Sequence, residues 1–448
     1  MLLNGTISRW RQRIGYGSAD FACNLIWTMI SLYLLYFYTD VMKLNPTEVG
    51  LMFIITRFID AGADLIVGYC IDRTKSKWGK SRPYFLFGAV PFAIFAMLTF
   101  SVPDISHSGK LLYAYITYIG LSIMYSLINI PLSSILPSLT ADMEERTVLS
   151  TTRMFFGFVG ASVVSATTLK LVTLFGSGND ILGFRLVMIL FGIIGLVIFL
   201  FTFLNVREIE LPVVKKITLK ESIASLGENK PWLIFALNIV FMWSGYFLQT
   251  SAIVYYYKVF IGNTDLSVLV ATLMTIIPVI VNFSVPCLAK IGKRNLFVIS
   301  SVVQLIGIVI IWIANISYSI ILAGVICTAI GQGVKTSIYF SMQADPVDYG
   351  EWKTGINTTG IQNAINGFIG KVCMAITGGV SGFLLDWGKY QAGLVTQTEN
   401  ALLAIKCMYL YVPMVLIICS IITISFYNLD KILPKIKEEN KGRNIVNE

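Results

Sequence analysis

Apolar residues arrive along this chain in runs of about 20, separated by short charged stretches. A run of that length crosses the ~30 Å hydrocarbon core of a bilayer as a helix. Twelve such helices are expected, at residues 17–40, 47–71, 83–102, 110–137, 150–175, 183–204, 232–256, 264–289, 295–315, 317–344, 356–384 and 400–428. The plainest is "FRLVMILFGIIGLVIFLFTFLN", whose one ionisable residue, Arg185, lies at its edge. Backbone groups in lipid must be paired within the protein, so the predicted fold class is all-α, a polytopic membrane protein. The longest polar connection, 205–231, divides six spans from six. The expected organisation is therefore an N-terminal half (1–204), a central cytoplasmic loop (205–231), a C-terminal half (232–428) and a cytoplasmic tail (429–448). Two related halves with a substrate site near mid-membrane are the layout of many secondary transporters. A weak echo between "GYCIDRTKSKWGKSRP" and "LAKIGKRNLF", each after the second span of its half, agrees with that.

Composition supports the pattern. Of 448 residues, 56% are hydrophobic and 13% charged, and the mean hydropathy is +0.74. A soluble reading would need one core larger than single cores grow. The net charge of +9 gathers in alternate connections: Arg9, Arg11 and Arg13; then Arg73, Lys75, Lys77, Lys80 and Arg82; then Arg207, Lys215, Lys216, Lys220 and Lys230; then Lys290, Lys293 and Arg294; and finally "KILPKIKEENKGR". By the positive-inside rule this places both termini in the cytoplasm, and it explains the charge without a nucleic-acid partner. The first residues, polar and basic, show no cleavable signal. The seven cysteines are odd in number, lack C-x-x-C spacing and read as small buried apolar residues. The single histidine, His107, lies in a connecting loop, so no histidine-based metal site or triad is expected and proton chemistry falls to carboxylates. No nucleophile–base pair or metal cluster suggests an enzyme, and no ring of like charges suggests a channel.

The chemistry lies in the ionisable residues inside the spans. "TRFIDAGAD" puts Arg57, Asp60 and Asp64 into the second span. Asp60 and Asp64 are four apart, on one helix face, with Arg57 close to that face. An intramembrane carboxylate is costly and normally faces a partner, a cavity or an ion path. An Arg57–Asp60 salt bridge alone leaves Asp64 unneutralised. Two neighbouring carboxylates would share a cation or hold a proton, so a site for Na⁺ or H⁺ is expected, with a hydroxyl from a neighbouring span. Asp20 and Asn24 form a second polar face in the first span. The fourth span contains "YSLINIPLSS", with Tyr125, Ser126, Asn129 and Ser133 around Pro131. Arg153 opens the fifth span, and Lys371 stands halfway along the eleventh, beyond the reach of snorkelling. Lys335 lies nearer the cytoplasmic end of the tenth, where snorkelling and function both fit.

In order and spacing, "GYGSADFACN", "LYFYTDV", "TRFIDAGADLIVG", "DRTKSKWGKSRPY", "YSLINIP", "IGKRN", "IGQGV" and "QADPVDYGEWKTG" resemble the glycoside–pentoside–hexuronide:cation symporters of the major facilitator superfamily. That group includes melibiose permease and the bacterial glucuronide and xyloside carriers. The resemblance runs nearly end to end. It implies the twelve-helix major facilitator fold, a bacterial-type cytoplasmic membrane location, a small glycoside as substrate and a lipid bilayer around a monomer. Asp60 and Asp64 match the family's cation-site aspartates, with Ser126 assisting; Tyr125, Asn129, Arg153 and Lys371 match its sugar-site positions, and Asp20, Asn24 and Ser133 join them. No cofactor is implied beyond the coupling ion, H⁺ or Na⁺. Asn24 and Asn129 stand where melibiose permease has aspartates. That shift toward positive charge suits a glucuronide, while asparagine also suits a neutral xyloside, and the fewer oxygens tilt the ion toward H⁺. An uncoupled facilitator and a carrier of another small organic anion are the alternatives. Gating is expected from Arg57, from Asp72, Arg73 and Lys75 after the second span, and from Asp345, Asp348 and Glu351 after the tenth.

Overall fold

The computed structural model of this chain describes residues 8–74, 76–140, 143–208, 226–282, 284–288, 291–314, 317–354, 358–394, 396–433, 435–436 and 439. These are helical nearly throughout, with no strand among them. Helix α1 runs Arg9–Met29, with the Ser8 side chain accepting from the amide of Arg11, and continues through two π-helical stretches, Ile30–Leu34 and Phe37–Val41. Helix α2 runs Pro46–Arg73; Pro46 starts it where its missing N–H has no use, and Asn45 accepts from the amide of Thr47. Then follow α3 (Arg82–Thr99), α4 (His107–Ser134), α5 (Met143–Gly176) and α6 (Asp180–Asn205). After them come α7 (Lys230–Phe260), α8 (Thr264–Asn282), α9 (Lys293–Ile313), α10 (Tyr318–Met342), α11 (Thr359–Trp387) and α12 (Glu399–Ser425). A short helix, Asp345–Thr354, carries "DPVDYGEWKT" after α10.

Among the described residues ten helices, α3 to α12, are long and apolar enough to cross a membrane. The two others expected to span, α1 and α2, are helices of comparable length that fall short in apolarity. Gln12, Arg13, Asp20 and Asn24 in α1 and Arg57, Asp60 and Asp64 in α2 account for that.

The chain divides into two compact units: Met1–Val213 with Ile253–Thr272 and Gly378–Leu402, and Val214–Ala252 with Leu273–Thr377 and Leu403–Glu448. In the first, α1 packs on α5 and α6, α2 on α4, and α3 on α4 and α6. At its apolar centre Phe100 stacks on Phe184, and Phe37 packs at an angle against both. At the end near the N-terminus, Arg13 of α1 donates to both carboxylate oxygens of Glu145 on α5. The basic turn between α2 and α3 is tied down by Glu208, which accepts from the amides of Lys80, Ser81 and Arg82 at 2.9, 2.8 and 3.0 Å. Gly79 there has φ +104°, and a β-carbon on it would come within 2.6 Å of that carboxylate, so the turn needs glycine on both counts.

In the second unit, α9 and α10 pack at Gly307, Gly324 and Gly331, each of which meets backbone of the facing helix. Phe235 stacks on Tyr339 at 5.4 Å. Lys335 does not snorkel: it is 1% exposed and donates to the side-chain oxygen of Gln304 on α9. Cys23 and Cys373 are buried as expected, whereas Cys70 is exposed.

Candidate functional site

Four helices of the first unit, α1, α2, α4 and α5, bring together most of the residues singled out by sequence. They form two polar clusters joined by an aromatic pair.

The first cluster is built on α1 and α5. The i,i+4 spacing lets the Asn24 amide donate back to the Asp20 carbonyl (2.9 Å) and carboxylate (3.2 Å). From α5, Arg153 donates through Nε to Asp20 Oδ1 at 2.9 Å. Its two terminal nitrogens each reach Ser133 Oγ on α4 at 3.3 Å, and one also reaches the Tyr16 hydroxyl at 3.5 Å. The guanidinium is thus engaged along both of its hydrogen-bonding edges. Asp20 and Arg153 keep 16% and 23% of their side-chain surface exposed, so the pair is accessible. Helix α5 approaches this closely because Gly157 and Gly160 carry no side chain. A β-carbon at Gly157 would lie 2.3 Å from Asp20 Oδ2, and one at Gly160 2.7 Å from the Phe21 carbonyl.

The second cluster is deeper. Arg57 and Asp60 are 5% and 2% exposed and face each other at a loose 3.4 Å. Arg57 also donates, at 2.8 Å, to the Tyr118 hydroxyl on α4, while Ser126, also on α4, donates to Asp60 Oδ1 at 3.0 Å. Asp64 follows one turn later on α2. Asp60 and Ser126 thus set buried oxygen atoms together, with one positive charge beside them. Such a set can hold a proton or a small hard cation.

Trp27 connects the clusters. It stacks on Tyr125 of α4, ring centres 5.1 Å apart at 28°, and lies under the Arg57 guanidinium at 5.5 Å. Aromatic rings beside polar groups are the kind of surface on which the C–H face of a sugar packs. Asn129, half-buried, lies one turn beyond Tyr125 on α4.

Sequence reasoning grouped Asp20, Asn24, Tyr125, Asn129, Ser133, Arg153 and Lys371 as one substrate site and Asp60, Asp64 and Ser126 as a cation site; the structure brings Asp20, Asn24, Ser133 and Arg153 into one hydrogen-bonded cluster and Ser126 to Asp60. Sequence reasoning did not single out Trp27, Tyr16, Tyr118 or Gly157. The one available signal was "RMFFGFVG", whose two glycines three apart mark a close helix approach.

The remaining residues are described by their own surroundings. Lys371 is half-buried on α11 in the second unit. Asp345, 1% exposed, pairs with Lys293 at 2.7 Å; Asp348 and Glu351 are half-buried on the same short helix. Arg73 stacks on Tyr69 of its own helix at 4.3 Å. The Asp72 side chain and Lys75 lie outside the described residues.

Residues 15–431 match the model of the MFS/sugar transport protein family. The chain belongs to that family. It is 38% identical to the isoprimeverose transporter of Lactiplantibacillus pentosus, covering 95% of this chain and 90% of that protein. It is 29% identical to the glucuronide carrier protein homolog of Escherichia coli (strain K12), covering 98% and 96%. Its fold matches a crystallised bacterial homologue of the human lysosomal transporter Spinster with a TM-score of 0.71, at 11% identity over 96% and 97% of the two chains. The chain is thus a multi-pass membrane transporter with a major facilitator fold, and not an enzyme.

Proposed function

We propose that this transporter imports an uncharged glycoside in symport with a cation bound at Asp60 and Asp64, by alternating access from the cell exterior to the cytoplasm. The observation that carries the substrate class is the state of Arg153. A guanidinium recognises a carboxylate by offering two parallel N–H groups along one edge. Here Asp20 occupies the Nε edge and Ser133 accepts from the other. A glucuronide would have to displace a carboxylate that already neutralises the cation. A sugar hydroxyl needs only to join the network of Asp20, Asn24 and Ser133, with its ring on Trp27 and Tyr125. The positive balance expected from Asn24 and Asn129 is offset by Asp20. Of the two relatives above, the more similar is named for isoprimeverose, an uncharged disaccharide, which supports the same reading.

Coupling rests on α2. Two carboxylates one turn apart inside the membrane have no use in an uncoupled facilitator, whereas an ion that must bind before the helices rearrange explains them. With one Asp60 oxygen facing Arg57 and the other accepting from Ser126, few oxygens remain to complete a sodium shell, so H⁺ is the proposed ion. The charge pattern supports cytoplasmic termini, and one copy of the chain is the proposed transporting unit.

Uptake into right-side-out membrane vesicles under an imposed pH gradient tests this. A neutral xyloside is expected to accumulate above equilibrium, with a glucuronide competing poorly. Gradient-driven accumulation of the glucuronide in preference to neutral sugars would overturn the substrate assignment. Accumulation driven by Na⁺ alone would overturn the ion.

A further inference from the structure

The chain holds a further buried carboxylate that neither cluster uses. Asp40, 9% exposed, lies in the π-helical stretch that ends α1, remote from the N-terminus. It accepts from the Tyr390 hydroxyl at 2.6 Å and from Thr39 Oγ1 at 2.8 Å. Thr39 in turn shares a 2.7 Å hydrogen bond with the Tyr255 hydroxyl. One turn back, Tyr36 accepts from Lys258 Nζ at 2.7 Å and sets its ring edge against Tyr255; Tyr255 packs edge-on against Tyr390. Tyr255 and Lys258 belong to the π-helical end of α7, and Tyr390 to the connection after α11. By sequence these two segments are part of the second six spans, yet they pack within the first unit.

We propose that this network is the outer gate of the transport cycle: a latch from Asp40, Thr39 and Tyr36 of α1 to Tyr255, Lys258 and Tyr390 that must break each time the sugar site opens outward. The assignment rests on the alternating-access and orientation reading above.

Three features distinguish a latch from ordinary packing. First, beside the ring-edge packing of Tyr36, Tyr255 and Tyr390, its contacts are hydrogen bonds between groups that water can replace. Such bonds specify one closed register, yet each has a small net worth because opening exchanges it for hydration; a broad apolar seam would hold the ends shut. Second, the same ends meet along bare backbone: a β-carbon at Gly382 would lie 2.2 Å from the Pro46 carbonyl, and one at Gly50 3.0 Å from the Gly379 carbonyl. Helices touching through glycine separate without disentangling side chains. Third, a cavity of about 330 Å³ lined by Thr39, Lys43, Asn45, His107 and Tyr390 borders the network, giving water a route to it. The π-helical stretches of α1 and α7 at the latch fit the frequent use of such turns at functional sites.

The test is a distance measurement on the full-length protein in nanodiscs. Spin labels are placed at Ser108→Cys and Asn400→Cys, both exposed at this end, with the native cysteines replaced. Removing one hydrogen bond to a carboxylate is expected to shift the closed-to-open ratio by roughly tenfold. Asp40→Asn and Tyr390→Phe are therefore each expected to move the distance distribution from the shorter toward a longer separation. The double variant is expected to go no further than the larger single effect, because both act on one bond. Distributions in Tyr390→Phe and Asp40→Asn identical to the parent would overturn the proposal, as would fully additive shifts. If Asp40→Asn does not fold, Tyr390→Phe and Tyr255→Phe decide alone. The measurement needs no sugar and no ion gradient, so it stands or falls separately from the coupling and substrate assignments.

Discussion

Gly157→Ala tests the site through a residue that bears no chemistry of its own. The added β-carbon would lie 2.3 Å from Asp20 Oδ2 and 3.0 Å from the Asn24 amide nitrogen. Relief requires Asp20 to retreat by roughly 1 Å toward ordinary contact distance. The 2.9 Å bond from Arg153 Nε does not survive that displacement, and with it goes the hold on Asp20 and Asn24. A hydrogen bond to a charged partner is worth about 1.5–3 kcal/mol, which at 1.4 kcal/mol per tenfold is about 10- to 100-fold in sugar affinity. The helix gains about 0.5–1 kcal/mol from replacing a glycine, offsetting part of the strain, so the variant is expected to fold and to insert. The assay is sugar binding by calorimetry on purified protein, with thermal unfolding alongside. Affinity within twofold of the parent, in a protein of unchanged melting temperature, would refute the claim that Asp20 and Arg153 must be held in this geometry.

Three further outcomes follow from the same contacts. Trp27→Ala removes the ring stacked on Tyr125 at 5.1 Å and is expected to lower sugar affinity about tenfold, in line with aromatic pair energies plus lost contact area; an unchanged Kd would leave Trp27 a packing residue. Ser126→Ala removes a 3.0 Å hydrogen bond to Asp60 and is expected to weaken the coupling ion about three- to tenfold, read as a shift in the ion dependence of uptake with the sugar Kd at saturating ion unchanged; a lost sugar site with normal ion dependence would count against it. Lys293→Gln is expected to lower the melting temperature more than Asp345→Asn. It strips an ammonium from a carboxylate 1% exposed, whereas the reverse change leaves an ammonium 24% exposed and in reach of water; equal losses would contradict that asymmetry.

How much of this was legible in the sequence depends on the range of each interaction. Helix positions followed from apolar runs. The Asp20–Asn24 and Asp60–Asp64 faces followed from spacing, because four residues is one turn and needs no knowledge of tertiary structure. That Arg153 meets Asp20 was legible only as residues assigned to one site, since 133 positions separate them. Trp27 could not be told from other aromatics, because its role depends on Tyr125 and Arg57 arriving from two other helices. Glu208 and Tyr390 sit in connections whose composition gives no sign that one holds the basic turn and the other reaches Asp40 across 350 positions. The charge balance drawn from Asn24 and Asn129 is a count, and a count does not reveal that Arg153 is paired with Asp20. For Lys335, sequence cannot choose between snorkelling and function because Gln304, which accepts its hydrogen bond, lies on another helix.

The central claim, an uncharged glycoside moving with one cation through Asp60 and Asp64, is tested most directly by sugar-induced current. In proteoliposomes on a solid-supported membrane, a neutral sugar carried with a cation moves net charge, whereas an acidic sugar carried with one cation moves none. The account predicts a saturable current on addition of a neutral glycoside that disappears in Asp64→Asn while sugar binding persists. Transport of that glycoside without current, or an undiminished current in Asp64→Asn, would contradict it.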